Sequence, residues 1–384
     1  MREGRTVLVL GGGVGGIVAA TRLRQRLPRA DRVVLIDREP KHLFQSSLLW
    51  VAVGQRSADR IQRPLERLKR KGIDVVTGEV SELEPGTKRV RVNGTQLTGD
   101  ALIVALGADL APDAVPGLTE GGYNLYTLAG ASSVRESLER FRGGRVVVLT
   151  AAPAYKCPAA PYEAAMLVHD YLGRRGLRDA AVEIYAAEAG PMATAGPEVS
   201  AAVRGMVEAQ GIAYHPNHQI ERVDPAARTL HFSNGASASF DLLIYVPPHR
   251  APPVVRQSGL GGESGWVSVD AATLQSEAPG VFAIGDVTSI PLASGKALPK
   301  AGVFARQEAE VVAENIVAEW SGRPPERAFD GNGACFIETG SGRAGYGSGN
   351  FYAAPTPEIR LHAPSRWWHL GKVAFEKYWF WKWL

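Results

Sequence analysis

Short, continuous apolar runs bounded by turn residues recur along this chain: Thr6–Leu10 ("TVLVL"), "RVVLID" ending at Asp37, "ALIVAL" before Gly107, residues 145–149, residues 182–187 and "VFAI" before Gly285. Runs of this kind, without polar alternation, fit strands buried on both faces, as in a parallel sheet between layers of helix. Between them the apolar spacing changes to three and four. That predicts helices after the first glycines, over 161–174 and over 199–209. An Asn234-Gly235 pair between two short runs predicts a hairpin. Strand–helix–strand order, met twice, predicts an α/β chain with two Rossmann-like units.

The first unit turns from strand to helix through "GGGVGG". Gly11, Gly13 and Gly16, with Gly12 between, have the spacing that lets backbone turn tightly, approach a pyrophosphate and pack helix on strand. The phosphates would face the positive end of the helix. Asp37 closes the next strand, where a carboxylate accepts from ribose hydroxyls. The second unit makes its turn through "TAAPAYKCPAAP" and has no glycine there. Pro153, Pro158 and Pro161 stiffen that turn and remove N–H donors that a pyrophosphate would need. Cys157 stands in the glycines' place. No nicotinamide cofactor is expected in the second unit.

With 384 residues, 45% of them hydrophobic and 21% charged, the chain is of ordinary globular composition and has room for two or three cores. Cys157 and Cys335 are too few for a disulfide framework. A distant pair is either two small buried hydrophobes or a redox couple. The net charge of +4 sits in the tail, where Arg360, Arg366, Lys372, Lys377 and Lys382 face Glu376 alone. A nucleic-acid binder would carry its basic stripe on a folded face, so nucleic acid is not an expected partner. No basic-then-apolar leader opens the sequence, so no cleavable signal is expected, and no apolar run is long enough to span a bilayer. No metal is expected either.

The stretch "RWWHLGKVAFEKYWFWKWL" (366–384) holds five of the eight tryptophans, and Trp368, Lys372, Phe375, Trp379 and Trp383 follow helical spacing. Tryptophan and lysine together suit the headgroup level of a membrane. The tail therefore reads as an interfacial segment lying on a bilayer, separable from the two Rossmann-like units.

Three segments in order, "GGGVGG", "ALIVALGADL" through Gly107 and "GVFAIGDV" with Gly285-Asp286, resemble the FAD signatures of two-dinucleotide-binding-domain flavoproteins. "KCPAAPYE" around Cys157, "ALPKAGVF" around Lys300 and "ACFIETGSGRAGYG" around Cys335 resemble segments of sulfide:quinone oxidoreductases and of the flavin subunit of flavocytochrome c sulfide dehydrogenase. The resemblance covers nearly the whole chain. It implies an FAD domain made of residues 1–108 and 241–320, a second Rossmann-like domain at 109–240 carrying Cys157, and a C-terminal region at 321–384 with Cys335 and the amphipathic membrane-interface tail. It places FAD on Gly11, Gly12, Gly13, Gly16, Asp37, Gly107, Gly285, Asp286 and Lys300. Cys157 and Cys335 fall on the family's redox pair, with Lys300 as the cation that steadies the reduced flavin. Sulfide then gives two electrons through this pair and FAD to a membrane quinone, releasing polysulfide or zero-valent sulfur.

The departures narrow the expectation. His42 stands where flavocytochrome relatives tether flavin through cysteine, and the upstream third cysteine of the best-known bacterial enzymes is missing, so the FAD is expected to be non-covalent. "AAEAGPMATAGPE" replaces a histidine-bearing segment, and His215 and His218 receive no role. Tyr346 and Phe351 are candidate quinone-stacking aromatics. Expected partners are sulfide, a membrane quinone, the bilayer surface through the tail and a further copy of the chain. The expected location is peripheral, on one face of a membrane. A soluble flavocytochrome-c-type sulfide dehydrogenase and a non-catalytic membrane-docked flavoprotein sensor stay open as alternatives.

Overall fold

The computed structural model describes residues 4–384. The first unit is laid down by β1 (Thr6–Leu10), α1 (Val14–Arg26), β2 (Arg32–Asp37), β3 (Asp74–Thr77) and β4 (Ala101–Val104). The chain then crosses to a second unit with β5 (Tyr123–Asn124), β6 (Arg145–Thr150), α2 (Ala160–Arg174), β7 (Ala181–Ala186), α3 (Pro197–Glu208), β8 (Ala213–His215) and β9 (Leu242–Val246). It returns through β10 (Val281–Ala283) and α4 (Gly302–Trp320). It ends in β11 (Asn332–Gly340), β12 (Arg343–Asn350), β13 (Glu358–Ser365) and α5 (Arg366–Trp383).

Both large sheets are parallel, in the orders β10–β4–β1–β2–β3 and β5–β9–β6–β7–β8. The unbroken apolar runs follow from this. Val7 and Val9 of β1 face a cluster with Ile17 and Phe304, while Leu8 and Leu10 face another with Val80 and Val90. A strand covered on both sides has no polar face to show. The hairpin predicted at Asn234-Gly235 joins strands Thr229–Phe232 and Ser237–Ser239. β11, β12 and β13 form an antiparallel sheet, and Ser365 caps α5 by accepting from the Trp368 N–H at 3.3 Å.

Two expectations need correction. The return to the FAD domain was placed at residue 241, yet β9 lies inside the second sheet, between β5 and β6, with Val146 level with Leu242 and Thr150 level with Val246. The run "DLLIYV" completes that sheet, and Pro247 and Pro248 end it because neither can donate to a ladder. The crossing follows at once: His249–Arg250 pairs antiparallel with Asp109–Leu110, so the outgoing and returning chains form one ribbon.

The tail is also not separable from the body. Trp379, Phe380 and Trp383 are buried in the same cluster as Val7, Ile17 and Leu35. Lys372 and Glu376 are buried as well, paired with Glu163 and Arg56. The stripe read from the sequence faces inward, with Phe375 at its edge. The face that meets solvent is a different one, with Trp367 80%, Leu370 54% and Trp381 81% exposed. Aromatic and basic residues occur on both faces of this helix, so spacing alone could not say which one turns inward. No helix among the described residues is long and apolar enough to cross a membrane.

Candidate active site

The first cradle has the geometry its glycines require. Gly11 has φ +106°, and a Cβ there would lie 2.3 Å from the Ala105 carbonyl oxygen; at Gly16 a Cβ would meet the Gly11 oxygen at 1.8 Å. Those two close the turn and seat the helix. Gly13 and Gly107 differ: a Cβ on either would meet nothing within 4 Å, so open space borders the backbone where a phosphate group and its extended ligand would run. These residues fit a dinucleotide. Asp37 accepts from the Gly12 N–H through one oxygen and from the Glu39 N–H at 2.6 Å through the other. Burial raises its pKa, against the lowering by those two bonds. Each carboxylate oxygen keeps room for a second donor such as a ribose hydroxyl.

The Gly285-Asp286 turn lies at the end of β10. Gly285 donates to Glu308 on α4 at 2.6 Å, and burial pushes Glu308 up to about 7. Asp286 is raised by burial, opposed by the nearby charges of Lys156 and Lys300. Lys300 Nζ donates to the carbonyls of Asp286 at 2.7 Å and Thr288 at 2.9 Å and sits 3.6 Å from the Trp266 ring centre. Burial brings Lys300 down to about 8, with Asp286 and Glu308 acting in the opposite direction.

The second turn spends its backbone donors within the protein. Cys157 N–H donates to Lys300 O at 2.7 Å, Ala160 N–H to Cys157 O at 2.9 Å, and Glu163 N–H to Ala159 O at 3.0 Å, while Pro161 has no N–H. The helix start is left with a buried carboxylate, Glu163, in its first turn. Glu188, just past β7, accepts from Tyr155 at 2.6 Å, Tyr162 at 2.5 Å and Thr150 at 2.7 Å. The acid at the usual ribose position is thus already engaged by three protein hydroxyls.

Cys157 takes φ +50°, and Tyr126 holds the turn by donating to the carbonyls of Lys156 at 2.7 Å and Cys157 at 3.2 Å. Cys335 lies on β11, opposite Gly347 of β12. Burial first, then Cys335 and Glu163, raise the Cys157 pKa. Cys335 is exposed at the surface of β11, and its crowded surroundings, with Glu163 nearby, raise its thiol pKa.

Tyr346 and Phe351 are not brought together. Tyr346 stacks on Trp368 with centroids 4.4 Å apart, whereas Phe351 meets Phe304 edge-on at 5.1 Å. Sequence reading missed the groups that connect the site. Glu163, Glu338 and Lys372, all buried, and the partly exposed His369 form a hydrogen-bonded network across α2, β11 and α5, and His42 links Gly12 to Trp379. One signal was available for Glu163: a carboxylate inside the otherwise apolar helical run "APYEAAMLV".

Residues 5–309 match the family described as pyridine nucleotide-disulphide oxidoreductase. The chain belongs to that family. It is a flavin-dependent oxidoreductase of two Rossmann-like units. It is 26% identical to the mitochondrial sulfide:quinone oxidoreductase of Mus musculus, over 91% of this chain and 79% of that one. It is 27% identical to the sulfide-quinone reductase of Aquifex aeolicus, over 98% and 90%. The X-ray structure of the Aquifex aeolicus sulfide:quinone oxidoreductase superposes with a TM-score of 0.89 at 25% identity, covering 98% of this chain and 91% of that one.

Proposed function

We propose that this flavoprotein oxidises sulfide through Cys157 and Cys335 and delivers the electrons to a membrane quinone. The observation that carries the reading is Cys157 at a helix start whose backbone donors are already taken, with Cys335 on β11 acting on it electrostatically, in a chain similar over nearly its whole length to sulfide:quinone oxidoreductases. FAD, held on Gly11, Gly12, Gly13, Gly16, Asp37, Gly107, Gly285 and Asp286, supplies a two-electron carrier. HS⁻ opens the disulfide of the pair, HS⁻ + RS–SR′ → RS–SH + R′S⁻, and the sulfur leaves as zero-valent sulfur or polysulfide. Lys300, mostly ammonium at neutral pH, stabilises negative charge on the reduced carrier. Tyr346, stacked beside the start of α5, is the aromatic we retain for quinone contact, since Phe351 is engaged by Phe304.

The outer face of α5 is the proposed bilayer contact. Trp367, Leu370, Tyr378 and Trp381 are exposed along it. Beside its far end lie the exposed basic residues Arg67, Lys69, Arg70 and Lys71, with Lys71 donating to Lys382 O at 3.1 Å. An apolar stripe bordered by basic residues suits an anionic membrane surface.

Anaerobic addition of sulfide should bleach the flavin, and a short-chain quinone should restore its colour. NADH and NADPH should do neither, because Pro161, Glu163 and the engaged Glu188 leave no phosphate or ribose site. Stopped-flow absorbance checks both. Rapid bleaching by a nicotinamide and none by sulfide would sink the proposal.

The FAD is non-covalent in this reading. His42 stands at the tethering position, but its Nδ1–H is committed to Gly12 O at 3.0 Å and its Nε2 to the Trp379 N–H at 3.1 Å. Acid precipitation should therefore release all flavin colour to the supernatant; colour that stays with the pellet contradicts this.

A further inference from the structure

Four titratable side chains form a line that the reading above leaves unused. His369 on α5 has a side chain 22% exposed, and its Nδ1 lies 3.0 Å from a Glu338 oxygen. Glu338 on β11 is 1% exposed and 4.0 Å from Lys372 Nζ. Lys372 donates to Glu163 Oε1 at 2.8 Å, and the Glu338 backbone N–H donates to the same oxygen at 2.8 Å. Glu163 and Lys372 both act electrostatically on Cys157 and Cys335. Trp50 walls one side: its ring meets His369 edge-on at 6.0 Å and lies 5.1 Å from Lys372 Nζ. Arg56 and Glu376 are the remaining charges beside that wall.

Stability alone is a poor reason for such a line. Removing two charges from water costs about what their attraction returns, and apolar residues of the same size often do better. Burial raises Glu338, with Lys372 pulling the other way. Burial would lower Lys372, but Glu163 and Glu338 hold it above the ordinary lysine value. Acid and base groups in near-continuous contact, running from a partly exposed imidazole to the helix turn that follows Cys157, are what proton movement requires.

The sulfide reading, on which this inference rests, creates the demand. Once HS⁻ has opened the disulfide, its reoxidation balances as RS–SH + R′S⁻ → RS–SR′ + S⁰ + H⁺ + 2e⁻, the electrons passing to the flavin. One proton is then freed at the thiol pair, where Cys157 is only partly exposed and Glu163 follows it in the first turn of α2. We propose that Glu163 takes this proton and that Lys372, Glu338 and His369 pass it to the surface of α5.

The test compares flavin-loaded wild type with Glu163→Gln, Lys372→Met and His369→Ala. Glu163→Gln and His369→Ala should each slow sulfide-driven bleaching about a hundredfold. Dissolved imidazole should restore much of the rate to His369→Ala, which a packing defect would not allow. A second readout needs neither sulfide nor electron transfer: the pH at which iodoacetamide alkylates the reduced thiols. It should move down in Glu163→Gln, where an anion beside the thiols is gone, and up in Lys372→Met, where a cation is gone. If Glu163→Gln fails to fold, His369→Ala and its imidazole response decide the matter alone. Bleaching rates equal to wild type, or a slowed His369→Ala indifferent to imidazole, overturn the proton path. A wild type that sulfide does not bleach overturns the sulfide reading itself, which separates the two failures.

Discussion

Serine at Cys157 or at Cys335 should cut sulfide-driven turnover by about a thousandfold or more while the protein keeps its flavin. The sulfur atom is the chemistry here: one thiol takes the incoming sulfur, the other carries electrons onward, and no other cysteine exists in the chain. The substitution itself is mild. Neither thiol holds the FAD cradle, and serine can adopt the φ of +50° that Cys157 already has. Flavin absorbance per protein and the melting temperature should stay near wild type, and only the sulfide-dependent rate should fall. The two variants should be equally inactive, and the double variant no worse than either, because a covalent pair acts as a unit. A single variant with near-normal turnover would show that the disulfide is not the electron entry.

Deleting residues 366–384 should unfold the first unit, and its effect on membrane binding will be unreadable for that reason. Trp379 and Trp383 are 1% and 2% exposed in the core of that unit. Truncating a buried aromatic costs about 3–5 kcal/mol. Loss of Lys372 also leaves Glu163, in the second unit, a buried carboxylate without its cation, about 3–5 kcal/mol more for the chain as a whole. Together these rival the whole stability of an ordinary domain, about 5–15 kcal/mol. The truncated chain should be recovered without flavin and without a cooperative melt. Trp367→Ser with Trp381→Ser is the clean comparison, since both side chains are about four-fifths in solvent. That double variant should keep its flavin and its melt, yet lose roughly tenfold or more of its binding to anionic liposomes. High salt should weaken binding of the wild type only in part, because screening removes the lysine and arginine share and spares the aromatic one. A truncated protein that melts cooperatively with flavin bound would show that α5 is an accessory; a double variant that still pellets with lipid would move the membrane contact elsewhere.

What the sequence disclosed and what it hid divide along the range of the interactions. The "GGGVGG" turn was readable because its requirements are local: positive φ at Gly11 and a close approach at Gly16 lie within one turn of chain. The stiff, glycine-free second turn was readable for the same reason, from three prolines. The partners of Glu163 were not, since Lys372 lies 209 residues away and nothing in either neighbourhood announces the other. The strand "DLLIYV" was recognisable as a strand, but which sheet it joins depends on pairing with β6, far upstream. In α5 the lysines and tryptophans were visible, but which of them point inward was set by His42, Ser47 and Glu163.

The contact between His42 and Trp379 spans 337 positions of chain, and it rests directly on the loop that begins the FAD cradle. At a translation rate of about 5–20 residues per second, roughly 15–70 s separate the synthesis of these two residues. For most of that interval β1, α1 and β2 are outside the ribosome with part of their core missing. The first unit therefore cannot mature in the usual N-terminal-first order. Its apolar strands must be shielded while they wait, and the cofactor can be retained only after α5 has docked. Pulse-labelled chains should accordingly acquire protease resistance in the first unit late, and together with flavin.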